Sequence, residues 1–387
     1  MKSKQNRERA MGDALLGIMF LICVVVLNCA GLLKKDKKIS ESENRSLAER
    51  PEFTIEGVVR GSFGDNLEAY LSDQFIFRDG FRTIHTGLKL AGGSRLQNNI
   101  FYGKNGQLMK NIDKPDREVL SGTVEAINSL AEYVKGTDEK AIYMMLVPDV
   151  AAIYPELLPS YAQIEDEETY FQEVRAGLAE NVTWIDGISV MRKYKKEKIY
   201  YKTDHHWTTR GAYHMFEETA ETFELDAEKE TDYDIYPIAT DFNGVLSGNS
   251  GFAAHERDEI DVYLPKVQTD VIVNYVDEQK KKSSLYDVNK LAAKDKYGVF
   301  LGGNSSLIDI RTTAESDRSI LIIKDSFANC YIPFLVPYYR EIVVVDPRYY
   351  AGTVAEVLED YRIDDILFLY SGNTFLTDNH IAGFMTI

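Results

Sequence analysis

Half of the chain's six histidines, one of its two tryptophans and an aspartate fall within Ile199 to His214, the stretch IYYKTDHHWTTRGAYH. In an extended segment residues two apart share a face, so Asp204 and His206 would point one way and His205 the other. A carboxylate beside an imidazole fixes its tautomer and stabilises the imidazolium, as a general base requires. The nucleophile for such a base would be Ser326, in Ser319-Ile-Leu-Ile-Ile-Lys-Asp-Ser-Phe-Ala-Asn-Cys330. A serine where an apolar strand ends and a helical turn begins has an exposed hydroxyl. There the backbone N–H groups of Ser326 and Phe327 could receive an oxyanion. Other readings stand beside this one. Ser326 could simply cap a helix. Asp204, His205, His206 and His214 also carry the nitrogen and oxygen ligands that zinc takes. Against zinc, neighbouring His205 and His206 would point apart, and His214 lies further along, in a helix. Trp207 could stack on a sugar or pack beneath the loop. His85, His255 and His380 have no partner in sequence and read as surface residues.

These side chains need elements to hold them. Ile199 to Tyr201 reads as a strand, and Thr208 or Thr209 as the N-cap of a helix running to about Phe223. Around it, amphipathic helices (Val119 to Tyr133, Glu168 to Leu178) alternate with short apolar runs at Ala141 to Val147, Val182 to Ile185, Ile320 to Ile323, Ile342 to Val345 and Ile366 to Tyr370. That rhythm predicts an α/β fold, a parallel sheet with helices on both faces, and such sheets keep their chemistry at the carboxyl ends of the strands. From Leu225 to Arg318 the rhythm is lost to turn-rich Asn243-Gly244, Ser247 to Gly251 and Gly302-Gly-Asn304. We expect that segment to be an insertion or cap between two halves of the core. Upstream, Phe63 to Leu71 and Phe81 to Leu90 read as helices, and Asn105-Gly106 as a hairpin turn.

Ala14 to Leu33 is an apolar run of 20 broken only by Asn28, long enough to cross a bilayer. Poor cleavage sites favour an uncleaved signal anchor over a removed peptide, with the C-terminal domain extracytoplasmic. Residues 1–38 carry eight Lys and Arg against three Asp and Glu, so of the chain's −17 the remainder holds −22. So acidic a domain argues against nucleic-acid partners. Two of the three cysteines lie in the span, which leaves Cys330 alone and excludes an intrachain disulfide or a cysteine metal site beyond it. The expected domains are 1–38, tail and anchor; 39–110, linker, helices and hairpin; and 111–387, the α/β domain with its insertion at about 225–318.

The Asp204-His-His-Trp207 motif resembles that of the bacterial DHHW family, which is itself similar to the alginate O-acetyltransferase proteins with their SGNH-hydrolase-like domain. The resemblance extends over Glu43-Asn-Arg-Ser-Leu-Ala, Tyr70 to Asp79, Phe101-Tyr-Gly-Lys-Asn-Gly106, Val147-Pro148, Gly302-Gly-Asn304 and Lys324-Asp-Ser-Phe327. It implies a circularly permuted SGNH-like sheet and a triad of Asp204, His206 and Ser326 that moves acetyl groups to an exported or cell-surface polysaccharide. It also implies a membrane-bound acyltransferase as acetyl donor, and it brings no cofactor or metal. Asn304 is a candidate oxyanion residue, and His205, Trp207 and Asn304 are candidate substrate contacts. Lys324 departs from the glycine usual before Asp-Ser. An esterase using water, or a non-catalytic scaffold of an export complex, would carry the same motifs.

Overall fold

The computed structural model describes residues 2–40, 45–137, 140–252 and 256–387. Glu43 of the quoted family stretch, and His255, lie outside them. The chain forms two compact units, Met1–Ser94 with Gly251–Ala253, and Arg95–Ser250 with Ala254–Ile387.

The first unit is helical: α1 (Lys2–Leu33), α2 (Ile55–Arg60), α3 (Ser62–Asp73) and α4 (Arg78–Ala91). Thr54 caps α2 by accepting from the Gly57 N–H at 3.1 Å, and Gly61 ends it with φ 83°, a conformation glycine adopts without steric cost. Within α1, Met11–Gly31 is long and apolar enough to serve as a membrane anchor or a signal sequence.

The second unit is built on an eight-stranded sheet. Its strands, with a separate hairpin β3–β4, are β1 (Ala141–Val147), β2 (Val182–Ile185), β3 (Tyr233–Phe242), β4 (Asp258–Pro265), β5 (Val271–Tyr275), β6 (Lys280–Lys282), β7 (Leu307–Thr312), β8 (Ser319–Lys324), β9 (Glu341–Val345) and β10 (Asp365–Ser371). The sheet order is β6-β5-β7-β9-β8-β10-β1-β2, and β3 pairs with β4 separately. The five strands from β9 to β2 are parallel, whereas β7, β5 and β6 add antiparallel to one edge. Every residue of β8 and β10 is buried, so both faces of the sheet centre are covered. Continuous apolar runs, not alternating ones, are what such strands require.

Two expectations need correcting. The sheet is mixed rather than parallel throughout, because the segment 225–318 extends it with three strands instead of only covering it. Ile199 to Tyr201 is no strand of that sheet. Tyr200 forms a lone antiparallel bridge to Trp207, closed by Tyr201 N–H to His206 O at 3.2 Å and Thr208 N–H to Ile199 O at 2.9 Å. The motif is therefore a tight hairpin on its own stem. From that stem Thr208 caps α5, the helix Thr209–Thr219, by accepting from the Gly211 N–H. Gly211 is required there, since a Cβ would lie 2.5 Å from Ile199 O.

Candidate active site

β8 runs through the middle of the sheet and ends at Lys324. Asp325 then folds the chain into a short 3-10 turn, Ser326–Cys330. The Asp325 carboxylate accepts from Phe327 N–H at 2.9 Å and, through its other oxygen, from Ser371 N–H at 3.0 Å and the Ser371 hydroxyl at 2.7 Å. The serine turn is thus tied to the end of the neighbouring strand β10. Lys324 is fully buried and donates to Asn304 Oδ1 at 3.0 Å and to Asp346 at 3.3 Å. Burial depresses the Lys324 pKa, partly offset by Asp346. Arg348 holds the same Asp346 through two hydrogen bonds of 2.7 and 2.8 Å. The lysine in the usual glycine position is therefore one arm of a buried ion-pair group supporting the turn.

The motif hairpin meets this turn. His206 Nε2 lies 2.7 Å from Ser326 Oγ, and His206 Nδ1 lies 2.6 Å from Asp204 Oδ1. Asp204 and His206 are buried and Ser326 is half-buried. Asp204 also accepts the His206 backbone N–H at 3.0 Å and, on Oδ2, the Val245 N–H at 2.8 Å. Burial alone would raise the Asp204 pKa, but His206 and then His205 pull it below the usual carboxylate range, so Asp204 is ionised. The pair meets because the loop curls, not because the segment is extended.

The curl also places His205 differently from the alternation argument. Its ring lies 3.9 Å from that of His206, its Nδ1 is 3.5 Å from Asp204, and it stays 30% exposed. Burial, and then the neighbouring His206, lower the His205 pKa, so it is neutral near pH 7. Asp204, His205 and His206 are a ligand-type cluster among the described residues. Both His206 nitrogens, however, are already engaged by Asp204 and Ser326, which leaves a metal two donors from the cluster. His214 does not join them: it stacks on Tyr194 at 3.7 Å and faces Glu197 at 3.0 Å.

The structure also bears on three other candidates. Trp207 has no exposed surface, donates to Phe327 O at 2.9 Å and stacks on Tyr331, so it packs beneath the loop and presents no face to a sugar. Phe327 N–H is not an open oxyanion donor, because the turn is capped by Asp325. Among the described groups Ser326 N–H has no such partner. Asn304 is exposed. Its Oδ1 receives Lys324 Nζ and Asn329 Nδ2 (3.2 Å). Both neighbours are donors, so the oxygen must face them and the Asn304 amide hydrogens point elsewhere.

Several residues at the site gave no recognisable signal in the sequence. Tyr297 lies flat on the His206 ring, 3.8 Å between centroids and 12° between planes, and its hydroxyl donates to Ser326 O at 3.1 Å. Buried Asp258, on β4, accepts Lys202 N–H (3.0 Å), Thr203 N–H (2.8 Å) and the Thr203 hydroxyl (2.6 Å), which pins the hairpin just before Asp204. Gly244 was readable as part of a turn. Its actual constraint is space, since a Cβ there would lie 2.3 Å from that of Asp204. Next to the turn, at the ends of β1 and β10, buried Glu167 accepts Asp149 N–H at 2.9 Å, and Asp149 accepts Asn373 N–H at 2.8 Å.

A sequence profile described as DHHW protein matches residues 119–345, more than half of the chain. Among solved structures, a DHHW family protein from Eubacterium siraeum superposes with a TM-score of 0.64 at 22% identity, covering 74% of this chain and 95% of that one. Bacillus cereus PatB1 bearing a sulfonyl adduct superposes with a TM-score of 0.62 at 21% identity, covering 74% of this chain and 98% of that one. At these identities the likeness is one of fold. No curated protein sequence matches the chain.

Proposed function

The chain belongs to the DHHW family, and on that footing we propose that it is an extracytoplasmic serine acyltransferase. It would be held at the membrane by α1 and would O-acetylate a cell-surface or exported polysaccharide. The observation that carries this reading is the relay Asp204–His206–Ser326, with contacts of 2.6 and 2.7 Å. Acetyl as the acyl group is supported by the sequence resemblance to the alginate O-acetyltransferase proteins, and a membrane-bound acyltransferase is the donor that resemblance implies.

Ser326 Oγ attacks the donor carbonyl while His206 Nε2 takes its proton. The imidazolium that forms is stabilised by ionised Asp204 and by the face of Tyr297. The oxyanion is assigned to Ser326 N–H and the Asn304 amide, donors with no partner among the described groups. Collapse expels the donor's leaving group, which receives the proton from His206, and leaves Ser326 as an acetyl ester. A sugar hydroxyl then gives its proton to His206 and attacks that ester, and His206 returns the proton to Ser326 as the product ester leaves.

The test is intact-mass analysis of the full chain after treatment with an aryl acetate or a sulfonyl fluoride. A single adduct on Ser326, absent in Ser326→Ala and strongly reduced in His206→Ala, is expected. No adduct on Ser326 while the fold is intact would remove the catalytic reading and favour a scaffold. Adding an oligosaccharide acceptor separates transfer from hydrolysis: acetylated sugar supports the transferase, and acetate release unaffected by acceptor supports an esterase.

A further inference from the structure

Helix α4 carries Phe77 at its N-cap, then Phe81, Ile84 and Leu88. That spacing, four, three and four residues, places all four on one stripe of a helix. All are exposed: Phe77 70%, Phe81 49%, Ile84 62% and Leu88 69%. Four large apolar side chains in one exposed stripe form a patch of the kind that soluble surfaces avoid unless something covers it. Arg82, His85 and Lys89 border the stripe on the same helix. An apolar stripe with a basic margin is the composition of helices that lie in a bilayer interface.

The same unit supplies the argument for what covers it. Met11–Gly31 has the length of a span, about 30 Å at 1.5 Å per residue. Gly31 thus falls at the edge of the hydrocarbon. There the chain is fastened to the segment that leads into α4. A Cβ on Gly31 would lie 3.6 Å from Gln74 O and 3.9 Å from Ile76 N. Lys37 N–H donates to Gln74 Oε1 at 3.0 Å, Gln74 Nε2 returns a bond to Lys37 O at 2.9 Å, and the Tyr70 hydroxyl donates to Asp36 at 3.0 Å. Helix α4 begins two residues after Ile76, so its first turn is held at the level where the span leaves the bilayer.

We infer that α4 is an interfacial helix, its Phe77–Phe81–Ile84–Leu88 stripe seated in the acyl–headgroup boundary of the membrane that α1 crosses. This rests on the anchor reading of α1. Seated in this way, α4 would fasten the first unit to the bilayer surface at a second point beyond the span.

The experiment uses the full chain reconstituted in phosphatidylcholine vesicles containing one quarter phosphatidylglycerol, with tryptophan placed at single positions and brominated lipid as quencher. Leu21→Trp reports on the span, Ile84→Trp on the stripe, and Thr83→Trp on the far side of α4. Loss of most Ile84→Trp emission in brominated vesicles, with Thr83→Trp matching the unsubstituted chain, is the expected result. Leu21→Trp quenched but Ile84→Trp unquenched would overturn the inference and leave the anchor standing. Leu21→Trp unquenched would overturn both. Ile84→Trp shielded from lipid and from aqueous iodide alike would mean that protein covers the stripe, which also overturns the inference.

Discussion

Asp258 is 1% exposed and holds three donors of the segment leading into Asp204, the N–H groups of Lys202 and Thr203 and the Thr203 hydroxyl. Asp258→Asn keeps its shape but replaces one acceptor oxygen with a donor. The best orientation keeps the oxygen on the two Thr203 groups, and the new amide then faces the Lys202 N–H, donor against donor. One unsatisfied buried pair costs about 1–3 kcal/mol, and loss of the carboxylate charge weakens the two bonds that remain. The total should be about 2–4 kcal/mol of unfolding free energy, measurable in urea. Function should suffer separately. With its anchor loosened, the hairpin no longer holds His206 at 2.7 Å from Ser326, and a misplacement of about 1 Å can cost roughly 100-fold in rate. The assay is the rate of Ser326 acylation by an aryl acetate, per folded molecule, below the onset of unfolding. If Asp258→Asn unfolds at the wild-type urea concentration and acylates at the wild-type rate, the anchoring role is wrong. If stability falls while the per-molecule rate does not, the geometry of the hairpin is set elsewhere.

Tyr297→Leu removes the ring beneath His206, a cation–π contact of about 0.5–2 kcal/mol once the imidazolium forms. Acylation should slow several-fold, and more than in Tyr297→Phe, which keeps the ring and loses only the hydroxyl's bond to the Ser326 carbonyl; equal rates for the two variants would dismiss the stacking role. Burial raises the pKa of both Glu167 and Asp149, with the Asp149 charge adding to the shift at Glu167. A carboxyl whose folded pKa is raised holds its proton better when folded, so this pair makes stability fall as pH rises from the ordinary carboxylate range, about 4, toward the raised folded value. Glu167→Gln should flatten that decline in melting temperature between pH 5 and pH 8 (roughly 1.4 kcal/mol per pKa unit removed), and an unchanged slope would show the pair is not the cause. Lys324→Met leaves Asp346 with Arg348 but strips Asn304 of its ammonium donor. Unfolding free energy should drop by roughly 3 kcal/mol, and an unchanged urea midpoint would mean that the buried ammonium contributes nothing.

The alternation of helices and apolar runs was enough to identify the five parallel strands, because a strand buried on both faces must be apolar at every position. The three antiparallel strands were hidden because they lie inside the turn-rich segment. There β6 is Lys280–Lys282, three lysines with no apolar position among them, which become a strand only by pairing with β5. Asp204, His206 and Ser326 were legible from residue type and from the strand that ends at Lys324. The reason offered for the Asp204–His206 pairing does not survive, however. An extended segment would have turned His205 away, whereas the hairpin curls so that Asp204 accepts both the ring and the backbone N–H of His206, and the His205 ring lies tilted against that of His206.

What no spacing argument reached is the set of groups that hold the relay from a distance. Val245 binds the far oxygen of Asp204, Asp258 pins Lys202 and Thr203, and Tyr297 covers His206 and binds the Ser326 carbonyl. All three come from the 225–318 segment, and each is an ordinary residue there, one aspartate among many, one of 24 tyrosines, a valine after a glycine. Their roles arise from contacts across 29 to 91 positions, which local pattern does not encode. The segment expected to be an insertion or cap between two halves of the core supplies the side of the site that orients the histidine. This changes the expected effect of altering the segment. A true cap, when shortened, would change acceptor preference and leave acylation of Ser326 by a small aryl acetate intact. Replacing Gly244 with alanine, whose Cβ would collide with Asp204, should instead slow that acylation with any donor, however small, because the fault lies in the relay itself.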